Sequence, residues 1–229
     1  MLVEGHDELT LALGSGLIPQ MILTAPELDP VSMDIAQTDV TTVTRAVFEK
    51  ISYRDNPDGW LGIFPIPKSS LEDLKMSDIP LVIVAESVEK PGNLGAILRT
   101  ADAAQVDALL VCDPRVDLWN PNVVRASRGA VFTVPTVEVD SLTALTWLRS
   151  RKMRVLAATP SAEVLYTSID LNQPIALAVG TEDEGLTDFW MQNADIKVKI
   201  PMMGKVNSLN VSIATALITY EAVRQRSER

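Results

Sequence analysis

Short apolar runs alternate with amphipathic stretches along most of this chain. LVIVAE (81–86), ALLVCD (108–113), RVLAATP (154–160) and PIALAVG (174–180) are continuous apolar or β-branched segments of strand length. Runs of this kind predict strands buried on both faces of a parallel sheet. VFTVPTVEV (131–139) and IKVKIPM (196–202) predict further extended segments. Between them, LGAILRTADAA (94–104), residues 121–130, SLTALTWLRSR (141–151), LTDFWMQNA (186–194) and SLNVSIATALITYEAVRQR (208–226) read as helices. Ser141 is a plausible N-cap for the third of these. Strands alternating with helices predict a parallel-sheet α/β domain over residues 80–229.

The pattern ahead of Pro80 is shorter in period. VEGHDELTLAL predicts a helix within residues 1–21, closed by a turn at Gly14–Gly16. QMILTA (20–25) follows as a strand, and residues 39–51 alternate Thr and Val before a short amphipathic piece ending at Ile51. Asn56-Pro57-Asp58-Gly59 is a turn, because Pro fixes φ and Gly accepts a left-handed backbone. WLGIFPI (60–66) then reads as a strand. The expectation is a small αβαβ unit over 1–67, joined by a linker (68–79) that holds a short helix at most.

Composition narrows the class. With 229 residues, 47% of them hydrophobic, the chain can bury a sizeable core in one large or two small domains. No run of about 18 apolar residues suggests a membrane span. MLVEGHDEL places acids straight after Val3, unlike the basic and apolar start of a secretory signal. The lone Cys112 cannot form an internal disulfide, so a cytoplasmic location is expected. Cys112 lies in an apolar run and is expected to be a buried small hydrophobe. His6, the one histidine, makes neither a metal site nor a histidine-based triad by itself.

The net charge of −10 argues at first against a nucleic-acid partner, but its distribution matters more than its total. Residues 1–80 hold 13 acidic and 5 basic side chains, and residues 81–229 hold 17 and 15. The acidity is therefore concentrated in the first third. Beyond it lie local basic groups at Arg125 and Arg128, at Arg149, Arg151, Lys152 and Arg154, and at Lys197, Lys199 and Lys205. Such groups suit phosphates, and each is also an ordinary solvated surface residue.

Three loops follow predicted strands, at the strand ends where open α/β sheets bind ligands. In the first, EKPGNLGAILRTAD, Asn93 is placed to N-cap a helix starting near Leu94. Arg99 sits six residues further on, so the two need not share a face. A structural cap and a surface ion pair explain these residues as well as a site does. In the second, Gly180 and Gly185 bracket Glu182, Asp183 and Glu184. No clustered acid or histidine supports a metal there, and a Gly-bounded loop after a strand suits a ligand cradled by backbone. In the third, Pro201 and Gly204 kink the chain before Asn207 or Ser208 caps the last helix; a well-capped helix and nothing more is the alternative. The first loop lacks the G-x-G-x-x-G spacing, which argues against a nucleotide-dependent oxidoreductase.

Taken together and in order, NLGAILRTAD, VGTEDEG and IPMMGKVNSLNVSIATALITYE resemble the three motifs of the SpoU/TrmH branch of the SPOUT RNA methyltransferases. The resemblance covers about residues 80–226, and NPNVVRASRGAVFTVP (120–135) is similar to that family's connecting region. More weakly, residues 1–67 resemble the L30e-like domain that precedes the catalytic domain in ribosomal-RNA members.

The resemblance implies a parallel α/β sheet whose C-terminal part forms a trefoil knot, and S-adenosylmethionine as cofactor. It implies transfer of a methyl group to a ribose 2′-OH of RNA, with ribosomal RNA favoured over transfer RNA and no DNA substrate. It also implies a homodimer with the active site completed near the interface. The final helix with Trp190, Met191, Met202 and Met203 is compatible with that, although each is equally a core residue. Carried across, the cofactor positions are Gly180, Ile200 and Leu209, with Thr181 and Met202 beside them. Arg99 binds phosphate and stabilises developing charge; as an always-charged group it is a poor base. Asn93 and Glu182 orient Arg99 and the ribose, and Ser208 and Asn210 position substrate or the cofactor carboxylate. No metal is implied. Asp183 departs from the small residue common in the family; its extra charge either repels RNA phosphate or favours the cationic sulfonium, and with the acidic first domain it bears against the RNA target more than against the chemistry. A SPOUT-like chain that grips RNA without methylating it is the alternative to an enzyme.

Overall fold

The computed structural model of the protein describes residues 1–28 and 39–227; residues 228–229 of the expected second domain lie outside it. Two sheets organise the chain. The first has the order β1-β4-β2-β3, built from β1 (Leu2–Glu4), β2 (Met21–Thr24), β3 (Val40–Thr42) and β4 (Trp60–Ile63). β4 pairs antiparallel with β1 and β2, and β2 pairs parallel with β3. Helices α1 (His6–Gly14) and α2 (Arg45–Ile51) complete the unit. The order is thus βαββαβ rather than the expected αβαβ. The stretch read as one helix from Val3 is broken by Gly5 at φ 114, which frees Leu2–Glu4 to pair with β4. A three-residue strand leaves almost no periodic signal.

The second sheet has seven strands in the order β7-β6-β5-β10-β8-β11-β9, all parallel. Its strands are β5 (Leu81–Glu86), β6 (Ala108–Cys112), β7 (Thr136–Val139), β8 (Arg154–Ala158), β9 (Val164–Leu165), β10 (Ile175–Val179) and β11 (Ile196–Lys199). Every residue of β5, β6 and β10 is buried, as continuous apolar runs require between two helical layers. The helices are α3 (Pro91–Ala103), α4 (Pro121–Ser127), α5 (Ser141–Ser150), α6 (Asp188–Asn193) and α7 (Val211–Ser227).

Two local expectations change. VFTVPTVEV is not extended throughout: Ala130–Phe132 forms a 3-10 turn and only Thr136–Val139 is strand. Asp140, not Ser141, caps α5, its carboxyl accepting from the Thr143 N–H at 2.8 Å. Ser141 instead donates to Asp113 and accepts from the indole of Trp190 at 2.9 Å. Trp190 is fully buried by this contact, which makes it a core residue and not part of a free face. Cys112 is also fully buried, and burial pushes its thiol well above the ordinary range.

The two sheets share one core. Val3, Leu9, Ile22, Trp60 and Phe64 of the first unit belong to the same apolar cluster as Leu94, Ile97 and Leu98 of α3. The 68–79 segment is seated on the second sheet, where Leu71 and Leu74 pack with Val82 and Ala108. No helix among the described residues is long and apolar enough to cross a membrane.

Candidate active site

Parallel strands deliver their carboxyl ends to one edge, so the loops after β5, β10 and β11 emerge together. The loop after β10 is tight: Thr181 and Gly185 exchange backbone hydrogen bonds of 3.0 and 3.1 Å around Glu182, Asp183 and Glu184. Gly180 is required by close approach, since a Cβ there would lie 2.1 Å from the Gly185 carbonyl oxygen. Gly185 is required by its left-handed backbone, φ 73. Buried Glu86, at the end of β5, holds the far end of the loop by accepting from the N–H and hydroxyl of Thr187 at 2.8 and 2.7 Å.

Three motif residues meet on this loop. The Asn93 side-chain amide donates to Glu182 Oε1 at 2.8 Å. The Asn210 amide donates to the same oxygen and, at 3.1 Å, to Asn93 Oδ1. Lys90 pairs with the other Glu182 oxygen. The hydrogen bonds from Lys90 and then Asn93 hold the Glu182 carboxyl below its ordinary range, and Glu182 raises Lys90 in turn. Glu182 is therefore an ionised acceptor at neutral pH.

Both capping expectations are corrected here. α3 begins at Pro91, with Lys90 in the N-cap position, as suits a Pro that has no N–H to satisfy. Asn93 lies inside the first turn, which frees its amide for Glu182. At α7, neither Asn207 nor Ser208 is the cap. Asn210 Oδ1 accepts from the Ser212 N–H at 3.0 Å, so one side chain caps the helix and binds Glu182 at once.

Beside this cluster lies a cavity of about 470 Å³, formed by the 180–186 loop, the 200–209 loop and the end of β8 at Ala158–Ser161. Gly180, Thr181, Ile200, Met202, Ser208 and Leu209 all line it, and Val211, Ala214 and Ile218 of α7 form an apolar wall. Its size falls within the roughly 300–1,000 Å³ of small-molecule sites. The backbone N–H groups of Met202, Ser208 and Leu209 donate to no described residue, and Thr159, Ser161, Asn207 and the acids of the 180–186 loop make part of the lining polar. A smaller cavity of about 100 Å³ shares Thr181–Glu184 and Val211 with it and is bounded by Lys90, Asn93 and Arg115.

Arg99 is elsewhere. It is exposed on α3 and lines a separate cleft with Asp102 and Arg128. Six residues turn the helix by about 240° from Asn93, so within one chain Asn93 and Glu182 do not orient Arg99. The cation on Glu182 is Lys90, which the sequence did not single out because 92 residues separate the pair. Arg115, also missed, pairs with Glu89 and lies 3.9 Å from Glu184. The three acids of the loop therefore diverge onto separate partners or solvent. Among the described residues no group of three or more His, Cys, Asp or Glu is placed to hold a metal ion.

Comparison with known proteins supplies the relationship. Residues 80–220 match the SpoU rRNA Methylase family, and residues 1–62 match an MRM3-like substrate binding domain. A 23S rRNA (guanosine-2′-O-)-methyltransferase, RlmB, of Ralstonia nicotianae is 41% identical over 149 residues, 65% of this chain and 60% of that protein. A 23S rRNA (uridine(2479)-2′-O)-methyltransferase of Streptomyces viridochromogenes is 33% identical over 176 residues, 74% of this chain and 61% of that one. The matches thus span about three fifths of these relatives' length. Among solved structures, an RNA 2′-O ribose methyltransferase superposes with a TM-score of 0.86 at 40% identity, covering 99% of this chain and 89% of that one. The SpoU methyltransferase AviRb of Streptomyces viridochromogenes, in complex with AdoMet, gives 0.91 at 26% identity, covering 100% and 91%. With residues of the three motifs joined in the Asn93–Glu182–Asn210 cluster and a family match over most of its length, this chain belongs to the SpoU rRNA Methylase family.

Proposed function

We propose that the protein transfers a methyl group from S-adenosylmethionine to a ribose 2′-OH of RNA, with ribosomal RNA as the substrate class. One observation carries this reading: the second and third motif loops wall a cavity of small-molecule size, and Asn93 of the first joins Glu182 and Asn210 in a hydrogen-bonded cluster beside it. The pocket fits the cofactor by its own chemistry. Apolar α7 side chains suit an adenosine face, unpaired backbone donors suit its ring nitrogens and carboxylate, and ionised Glu182 favours a nearby sulfonium. When bound, the cofactor supplies an electrophilic methyl group.

The chain's residues do the positioning. Gly180, Thr181, Ile200, Met202 and Leu209 hold the cofactor through loop backbone. Glu182, fixed by Asn93 and Asn210, accepts a hydrogen bond from the ribose and aims its oxygen. Ser208, whose hydroxyl bonds no described residue, faces the chamber to meet substrate or the cofactor carboxylate. Arg99 neutralises phosphate and stabilises charge on the oxygen.

Arg99 is remote from this cluster in its own chain, which favours a homodimer in which one protomer's Arg99 completes its partner's site. α7 offers the face for it. Ile213, Leu217 and Tyr220 are exposed at helical spacing, and Met203 is 95% exposed on the loop before them. The stretch from β10 to α7 is the part proposed to thread into the trefoil knot.

Residues 1–67 are proposed to hold the RNA and residues 80–229 to perform the transfer, with 68–79 between them. The acidity of the first domain is less adverse than its charge suggests. Glu4 and Glu8 are buried, Glu4 accepting from Ser52 and the Tyr53 N–H, Glu8 pairing with Arg54 at 2.9 Å. The similarity of residues 1–62 to a substrate binding domain, with rRNA enzymes among the relatives, favours ribosomal over transfer RNA.

The test is calorimetric titration with S-adenosylmethionine, followed by transfer of labelled methyl to 23S ribosomal RNA and transfer RNA transcripts. The expected result is about one cofactor per protomer, with label on ribose 2′-oxygens of the 23S transcript, lost in Arg99→Ala. Label on transfer RNA alone overturns the substrate class. Binding without transfer to either RNA overturns the enzyme reading.

A further inference from the structure

The cleft that holds Arg99 also holds Arg128. It measures about 210 Å³ and is walled by Leu11 of α1, Arg99 and Asp102 of α3, and the turn after α4 with Arg128 and Thr133. Both guanidinium groups are on exposed residues, and neither makes an ion pair or side-chain hydrogen bond with a described residue. Arg45, Arg54, Arg115 and Arg224, by contrast, each pair with a carboxylate. The carboxyl of the cleft, Asp102, accepts from the Thr133 hydroxyl at 2.5 Å and forms no ion pair with either arginine. Two cations and one acid leave the cleft positive in a chain of net charge −10.

The cleft is built across both domains. Arg128 adopts a left-handed backbone, φ 51, after α4, and its N–H donates to Arg125 O at 3.0 Å. Gly129 follows at φ 83, pressed so closely on α1 that a Cβ would lie 2.6 Å from Leu11 Cδ1. The turn bearing Arg128 is thereby fixed against the wall contributed by residues 1–62, the segment similar to a substrate binding domain.

We propose that this cleft is a phosphate subsite for the RNA strand, in which Arg128 grips a backbone phosphate beside the one met by Arg99. Two planar, always-charged donors on separate elements match successive phosphodiesters of an extended strand. The subsite carries affinity and register rather than sequence. It rests on the RNA reading above.

Arg128→Gly tests it, because Gly takes the left-handed backbone at no steric cost and leaves the turn intact; thermal unfolding of the variant checks this. The probe is protein-free 23S ribosomal RNA made by transcription, titrated at several salt concentrations. The expected result is about tenfold weaker binding and a salt dependence of log K shallower by roughly 0.7–0.9, one phosphate contact fewer, with Arg128→Lys recovering the slope. S-adenosylmethionine binding, measured in parallel, stays at the wild-type value. Unchanged affinity and slope in a variant whose wild type binds RNA overturn the subsite and leave the proposed function standing. A wild-type protein that binds the cofactor but no RNA overturns both.

Discussion

Glu86 and Thr187 lie 101 residues apart in sequence and are joined by two hydrogen bonds, one from the Thr187 N–H and one from its hydroxyl. Glu86 is 2% exposed, at the end of the interior strand β5, and Thr187 closes the loop that begins at Gly180. The pair thus ties the loop that lines the proposed cofactor cavity to the sheet. Glu86→Ala strands two donors and is expected to cost about 2–3 kcal/mol of stability. It is also expected to weaken S-adenosylmethionine binding more than tenfold, because the loop loses its far anchor. Urea unfolding and calorimetry check the two effects separately. Wild-type cofactor affinity in a folded Glu86→Ala protein would show that the clamp serves stability alone.

Gly180 makes a sharper test of the same loop. An added methyl group meets Gly185 O at 2.1 Å and Leu186 N at 2.4 Å, and both are backbone atoms that cannot swing aside. Gly180→Ala is therefore expected to force the loop open, destabilising the protein by about 1–3 kcal/mol and abolishing measurable cofactor binding. Gly92→Ala is the control, since its Cβ would meet nothing within 4 Å. It should change neither quantity by much, and equal damage in both variants would remove the steric explanation.

The second sheet was legible because fully buried parallel strands write themselves as unbroken apolar runs; β5, β6 and β10 fall where the runs predict. The N-terminal sheet was harder. β1 has three residues, and all of β3 is exposed, so neither leaves a hydrophobic period. Within the site, motif resemblance pointed to the residues that line the cavity, Gly180, Ile200, Ser208 and Leu209 among them. It did not reveal their pairings. Asn93 and Asn210 read as helix caps or polar neighbours, yet both amides converge on Glu182, a contact set by strand order. Lys90 and Arg115 were missed for the same reason: their carboxylate partners lie across the sheet edge or on another loop, and a local pattern carries no record of that. Arg99 was the opposite case, singled out by motif resemblance but placed with a cluster from which the helical twist removes it.

Protonation links this cluster to pH. Glu182 is held below its ordinary value of 4.5, first by the Lys90 hydrogen bond and then by Asn93. A depressed carboxyl contributes stability that is present above the unfolded value and is lost as pH falls through the folded one. Lys90 is raised above 10.5 by Glu182, so its contribution is present below that value and lost as pH rises through the folded one. The pair is thus intact between the ordinary carboxylate and ammonium ranges and opens outside them. Lys90→Met removes the largest cause of the Glu182 shift. Carboxyl-carbon NMR titration should then show Glu182 moving up toward 4.5 while Asn93 keeps it from arriving fully. A titration identical to wild type would show that the ion pair does not form in solution.

The remoteness of Arg99 from Glu182 separates action within one chain from action across a dimer. Arg99→Ala removes the proposed charge stabiliser and should lower methyl transfer by about a hundredfold or more, with cofactor binding retained. As an exposed residue it should alter stability by no more than about 0.5 kcal/mol. Gly180→Trp fills the proposed cofactor site and leaves Arg99 in place. Each variant alone is expected to be inactive. If Arg99 serves the partner's site, mixed dimers contain one complete site, made of the intact cofactor loop of the Arg99→Ala protomer and the Arg99 of the Gly180→Trp protomer. Subunits unfolded together and refolded at equal concentration form half their dimers mixed, so activity should recover to roughly a quarter of wild type. If Arg99 serves its own chain, every site in the mixture lacks one component and no activity returns.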